Sequence, residues 1–210
     1  MGGKLREIKC KACKELFTQR RFMQYVCSPK CSIDYQNTLK VNKEAKEWKD
    51  KKAVMKVTTH AKEYKADLQR EINKLSRMID AKFGFVTCID CDKPFGKQID
   101  ACHYHGRGGN SSLRYNLHNL HSGKSDCNQF SDTHKQGYAI GLADRYGNDY
   151  AIMVVEALPL LYKEVHISSV EVVEKLKIVR AIIRHFDTYN LVDSISARTL
   201  FNKLIGIYGI

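Results

Sequence analysis

Residues 88–128 read CIDCDKPFGKQIDACHYHGRGGNSSLRYNLHNLHSGKSDCN, and they carry most of the chemistry in the chain. The stretch opens on a C-x2-C pair, Cys88 and Cys91, and closes on Cys127 followed by Asn128. A tight C-x2-C turn presents two thiolates to one ion, and zinc takes four converging ligands at about 2.3 Å. Three cysteines supply three of them. His121, six residues before Cys127, is the first candidate for the fourth in a Cys3His site, with Cys102 and His134 behind it. Between the cysteines lie two short extended stretches and a cluster of Asp100, His103, His105, His118 and Asn119. Gly106, Gly108 and Gly109 make a loop whose backbone can approach a phosphate closely or simply turn a hairpin.

A second cysteine set precedes it. Residues 9–31, KCKACKELFTQRRFMQYVCSPKC, space Cys10, Cys13, Cys27 and Cys31 as C-x2-C and C-x3-C. With Phe17, Phe22 and Tyr25 as an apolar floor, this predicts a small zinc finger whose folding is coupled to its metal. In a reducing compartment such pairs are metal ligands rather than disulfides. Zinc is therefore expected once or twice, as a structural ion.

Between the two sets, residues 33–82 are rich in Lys, Glu, Ala and Gln and contain neither proline nor glycine. They predict helix, broken near Val57, Thr58 and Thr59, with Thr59 as N-cap of a second segment. In that segment Tyr64, Leu68, Ile72, Leu75 and Ile79 form an amphipathic stripe. Residues 1–82 hold 21 Lys/Arg against 10 Asp/Glu, and residues 83–210 hold 14 against 13. The formal charge of +12 thus belongs to the N-terminal part, either as a solvated helical linker or as a basic arm for a polyanion.

Beyond residue 147 the chain turns aliphatic. Ser168 and Glu171 predict a capping box, followed by a helix with Val170, Val173, Leu176, Val179, Ile183 and Phe186 on one face. A last helix is expected over residues 196–207. No apolar run is long enough to cross a membrane, and MGGKLREIKC carries no export pattern, so no membrane role is expected. The whole predicts an α+β, mostly helical chain: an N-terminal zinc finger (1–32), a basic helical segment (33–82), a zinc-bracketed module (83–147) and a helical C-terminal region (148–210).

A histidine followed by an asparagine and a third polar ligand, inside a zinc-bracketed loop, is the layout of an HNH, or ββα-metal, nuclease. A histidine near neutrality can take a proton from water. A carboxylate and an amide oxygen can hold one Mg2+. An amide in the middle position can fix the loop that orients the histidine. The ordered set CSPKC, the basic helical spacer, CIDC, DACHYHGRGG, LRYNLHNLH and DCN resembles the NinG (Rap) recombination-nuclease family of lambda-like bacteriophages over residues 8–145. The CN step at Cys127 and Asn128 also resembles the metal-binding turn of the endonuclease VII family.

That resemblance implies a metal-dependent, structure-specific endonuclease of branched DNA (Holliday junctions, D-loops) acting in phage recombination. His103 matches the general base, Asn119 the central asparagine and Asn128 a Mg2+ ligand, with Mn2+ as an alternative ion. Two positions depart from the pattern. Cys102 stands immediately before the base, where many HNH proteins have aspartate, and Asp100, two residues earlier, takes over as metal ligand. Lys124 stands where the family has a cysteine. Arg107, Arg114, Lys124 and Lys135 are the expected DNA contacts. Paired incisions on a two-fold junction call for a homodimer, and a recombinase is a further expected partner, in the cytoplasm of the bacterial host. The alternatives are a zinc-dependent branched-DNA-binding protein without catalysis, and an HNH nickase of ordinary duplex DNA.

Overall fold

The structure is a computed structural model that describes residues 6–130 and 134–208, with backbone alone at 128–130. It comprises two compact units, Met1–Lys56 and Val57–Ile210.

In the first unit, β1 (Glu7–Lys9) and β2 (Leu16–Thr18) form an antiparallel hairpin with Ile8 opposite Phe17. The chain then enters α1 (Pro29–Thr59). Its start is written in CSPKC: the Ser28 hydroxyl accepts the Cys31 amide at 3.2 Å, and Pro29 takes the first helical position, where its missing N–H costs nothing. Lys, Glu and Ala then keep the chain helical, yet α1 buries none of its side chains. The expected apolar floor is only partly present. Phe17 is half-buried, whereas Phe22 lies in solvent, and the Lys11 ammonium sits 4.5 Å over the Tyr25 ring.

The second unit is built on α2 (Ala61–Lys82), which buries Leu68, Ile72, Leu75 and Ile79, most of the stripe read from the sequence. His60, not Thr59, occupies its N-cap, without a side-chain bond to a helix amide. Against α2 lie α7 (Ser169–Arg184) and α8 (Ser194–Ile205). The capping box at Ser168 and Glu171 forms as expected, but α7 buries Val172, Leu176, Val179 and Ile182, while Val170 is exposed. The helix is thus rotated from the expected face, because Val172 and Ile182 complete a stripe at spacings of three and four residues that faces α2 and α8. Asp193 caps α8 through the Ser196 amide, so this helix starts and ends two residues earlier than expected. The boundaries drawn at 82/83 and 147/148 fall inside this unit. Among the described residues no helix is long and apolar enough to cross a membrane.

Between α2 and the middle helices runs an antiparallel hairpin of β3 (Ile99–His103) and β4 (Leu120–Lys124), in which Cys102 faces His121 and Asp100 faces Gly123. Alternation along the strands gives the hairpin two different faces. Ala101 and Leu120 join the core around α2, α7 and α8. Cys102 joins a second core with Ile89, Leu113, Tyr138, Leu142, Tyr150 and Val154. That core is roofed by α4 (His134–Tyr146), α5 (Asn148–Ile152), a π-helical turn (Met153–Ala157) and α6 (Leu158–Leu161); α3 (Ser125–Phe130) follows β4 directly. On α4, Cβ atoms at Gly137 and Gly141 would stand 2.4 Å from the Asp90 carbonyl oxygen and 1.8 Å from that of Ile89. The helix backbone therefore rests directly on residues 89–90.

Buried polar bonds tie the hairpin to its helices. Ser76 Oγ donates to the Leu120 carbonyl at 2.8 Å, and the Ser122 amide donates to Asp80 at 2.7 Å. Arg198 of α8 pairs with the same Asp80.

Candidate functional site

The two C-x2-C segments fold into the same turn. In the first, the Cys10 amide donates to Glu15 O at 2.8 Å, the Lys14 amide donates to Cys10 O at 3.0 Å, and Lys14 has a positive φ of 67°. In the second, the Cys88 amide donates to Lys93 O at 2.9 Å, the Asp92 amide donates to Cys88 O at 2.9 Å, and Asp92 has a positive φ of 51°. Neither Lys nor Asp is glycine, so both turns hold a left-handed residue against its preference. Each of these strained turns aims two sulfurs, and several backbone N–H groups, at one point, and its repetition in one chain marks a common purpose.

The sulfurs of Cys10, Cys13, Cys27 and Cys31 lie within 4.8 Å of one another, as do those of Cys88, Cys91 and Cys127. All-sulfur sets of this kind fit zinc. The first set is also electrostatically incomplete by itself. Burial opposes ionisation of Cys10, but the amides of Cys27, Cys13 and Ala12 outweigh it and bring the thiol down to about 6. The neighbouring Cys31 and Cys13 push Cys27 up to about 12. Four thiolates this close ionise together only around a cation.

The structure separates His121 from the second set. The imidazole is fully buried, with Nδ1 3.0 Å from the Tyr138 hydroxyl and Nε2 3.5 Å from that of Tyr150. His134 is likewise engaged, its Nδ1 3.0 Å from Asp90. Neither histidine therefore joins the three thiols.

His103, Asp100, Arg107, Arg114 and Lys135 come together instead around one open groove of about 840 Å3. Arg77 and Asn73 of α2 line it as well, and Asp100 is the one carboxylate among the described residues lining it. A second depression of about 280 Å3 continues along α2 past Gln69 and Arg70. The sequence marks α2 as basic without picking out these residues. A signal for them exists, since 66, 69, 70, 73 and 77 recur at helical spacing on the face opposite the apolar stripe.

At the head of the groove, His103 Nε2 lies 3.1 Å from the Arg114 carbonyl oxygen. The Gln69 amide nitrogen stands 3.4 Å from the same atom, but the nearer carbonyl only accepts, so in neutral His103 Nε2 carries the hydrogen and the lone pair is on Nδ1. Gln69 keeps Arg114 in place by accepting its Nε–H at 2.8 Å. Burial, with the charges of Arg107 and Arg114, pushes His103 down to about 4 against the raising effect of the Arg114 carbonyl. The imidazole is therefore neutral at neutral pH.

Asn119 sits below this site, fully buried. Its Oδ1 accepts the His105 amide at 2.8 Å, and its Nδ2 donates to the carbonyls of His105 at 3.1 Å and Leu113 at 3.3 Å. It thus pins the end of β3 to the loop that carries Arg114, which is a positioning role. Lys124 does not line the groove; its backbone amide donates to Cys88 Sγ at 3.2 Å. Asn128 lies in α3 next to Cys127, and its side chain falls outside the described residues.

A family model described as Bacteriophage Lambda NinG protein matches residues 3–187, a span that includes both cysteine sets, the groove and all of α7. No curated protein and no solved structure matches the chain.

Proposed function

The chain belongs to the bacteriophage Lambda NinG family, and from that premise we propose that it is a Mg2+-dependent endonuclease that cuts branched DNA at the groove around His103. The observation that carries this reading is the contact of His103 Nε2 with the Arg114 carbonyl, in a groove where arginines and a lysine surround one carboxylate. A neutral imidazole with a fixed tautomer is a general base. Cationic walls are what a DNA strand requires.

In this mechanism Nδ1 of His103 takes a proton from water as the water oxygen attacks phosphorus in line and the P–O3′ bond breaks; the departing 3′-oxygen takes a proton from solvent, giving 5′-phosphate and 3′-hydroxyl ends. Arg107, Arg114 and Lys135 bind the flanking phosphates, with Arg77 of α2 on the same groove. Asn119 keeps the histidine at its station. The β3–β4 hairpin followed by α3 supplies the order of elements that a ββα-metal nuclease uses. Asp100, on the groove, is a hard oxygen donor of the kind Mg2+ takes. When bound, the ion neutralises charge on the scissile phosphate and the leaving oxygen. Paired incisions across a four-way junction require two copies, so the working form is a homodimer.

Gel-resolved cleavage of a labelled four-way junction and a matched linear duplex, with Mg2+ or EDTA, tests the reading. Cutting of the junction alone, dependent on Mg2+ and lost in His103→Ala, is the expected result. Tight binding with no cutting in Mg2+ or Mn2+ would replace the enzyme by a DNA-binding protein, and equal cutting of the duplex would replace the resolvase by a nickase.

A further inference from the structure

We propose that Cys102 is the fourth ligand of a zinc ion held by Cys88, Cys91 and Cys127. The inference rests on reading those three thiols as a zinc site. Structural zinc sites close with four protein ligands, and this set shows three. The second turn copies the first bond for bond, and the first has four sulfurs. The deficit is therefore one ligand within reach of the second turn.

Cys102 is the group placed to supply it. It is fully buried on β3, on the hairpin face that packs against Ile89 of the turn. The position that a Cβ on Gly123 would take lies 2.5 Å from Cys102 Sγ and 3.5 Å from Cys88 Sγ. The two sulfurs are therefore separated by no more than the sum of those distances, with no side chain of residue 123 between them. Sulfurs on one zinc stand about 3.7 Å apart at Zn–S of about 2.3 Å, and a staggered rotation about χ1 moves a cysteine sulfur by about 3 Å, enough to close the difference.

The choice of glycine at position 123 points the same way. It lies in a regular antiparallel strand opposite Asp100, and its φ lies outside the left-handed region. Conformation therefore does not require glycine here. Space does, because any side chain would occupy the point between the two sulfurs. The other nearby donors are committed: His121 to Tyr138 and Tyr150, and His134 to Asp90. The Lys124 amide, bonded to Cys88 Sγ, adds the N–H···S support that thiolate ligands use. Position 124 thus contributes backbone to the site while Cys102 contributes the sulfur.

The test is metal analysis and zinc X-ray absorption on the full-length protein. The expected result is two zinc ions per chain with a mean of about four sulfurs each, at about 2.3 Å. Two ions with a mean of about 3.5 sulfurs and a nitrogen or oxygen neighbour would overturn Cys102 while keeping zinc at the three-thiol set. One ion per chain would overturn both.

Two variants carry the same question into affinity, read by competition with a chromogenic chelator. Cys102→Ser should make the second zinc at least about tenfold easier to remove. Gly123→Ala should do the same although all eight cysteines remain. Unchanged chelator resistance in both variants would overturn the assignment.

Discussion

Asp80 and Arg198 form an ion pair whose side chains are both completely shielded from solvent, although 118 residues separate them in sequence. Asp80 also accepts the Ser122 amide, and Arg198 donates to the Leu117 carbonyl at 3.2 Å. One pair therefore joins α2, β4, α8 and the loop that leads into Asn119. A buried charge without its partner is costly, whereas removing both charges is far milder. Arg198→Met or Asp80→Asn alone should destabilise the second unit by about 3–5 kcal/mol in denaturant unfolding. The double variant should recover a large part of that loss. Additive losses in the double variant would mean that the two groups are not coupled.

Acid should loosen the same unit through its buried histidines. Burial holds His103 at about 4 and His118 at about 3, below the ordinary value of 6.5. These groups are neutral when folded and gain protons on unfolding once the pH falls below 6.5. Stability is thus complete above that value and is lost as the pH falls through the folded values. At about pH 5 the two together account for about 4 kcal/mol. Unfolding midpoints should fall steadily between pH 6.5 and 4, and His118→Gln should flatten that slope. A flat profile over this interval would contradict neutral burial.

Under the proposed function, the low value of His103 would also set the shape of the cleavage rate against pH. A base at about 4 is already available at pH 5.5, so the limb attributable to His103 should lie near pH 4 and not near 6.5. Single-turnover cleavage from pH 4 to 8 at saturating Mg2+ measures it. An inflection near 6.5 would show that another group, or a His103 freed from the Arg114 carbonyl, performs the step.

Arg77 and Arg107 both line the groove, one from α2 and one from the glycine loop. Neither is bonded to Gln69 as Arg114 is, so their removal should leave the site standing. Arg77→Ala and Arg107→Ala should each weaken junction binding and lower the log–log salt slope by about 0.9. Weaker binding with an unchanged slope would assign them a structural role.

The chemistry is legible in the sequence wherever spacing encodes it. C-x2-C and C-x3-C give the first thiol set without reference to anything distant, and Ser168 with Glu171 marks a helix start because the capping bonds are local. His103, Arg107, Arg114 and Lys135 meet on one groove as their motif suggests. Spacing misleads where a long-range partner decides. His121 reads as a ligand because it lies six residues from Cys127, yet Tyr138 and Tyr150, from helices that follow it, claim both its nitrogens. The buried face of α7 depends on where α2 and α8 lie, which its own periodicity does not state. Arg77 is hidden for the same reason, since its importance depends on which helix face closes the groove.

Gly137 and Gly141 let α4 rest on the second turn with backbone against backbone. Between them on the same helix stands Tyr138, whose hydroxyl donates to the Cys102 carbonyl and meets His121. A displacement of the turn by a fraction of an ångström has no flexible side chain to absorb it. It must pass into the helix as rigid motion, and from there into the strand that ends on His103. Metal occupancy at the turn would therefore be felt at the groove as a change in alignment, and under the proposed function a chelator that never touches DNA would act as an inhibitor from behind.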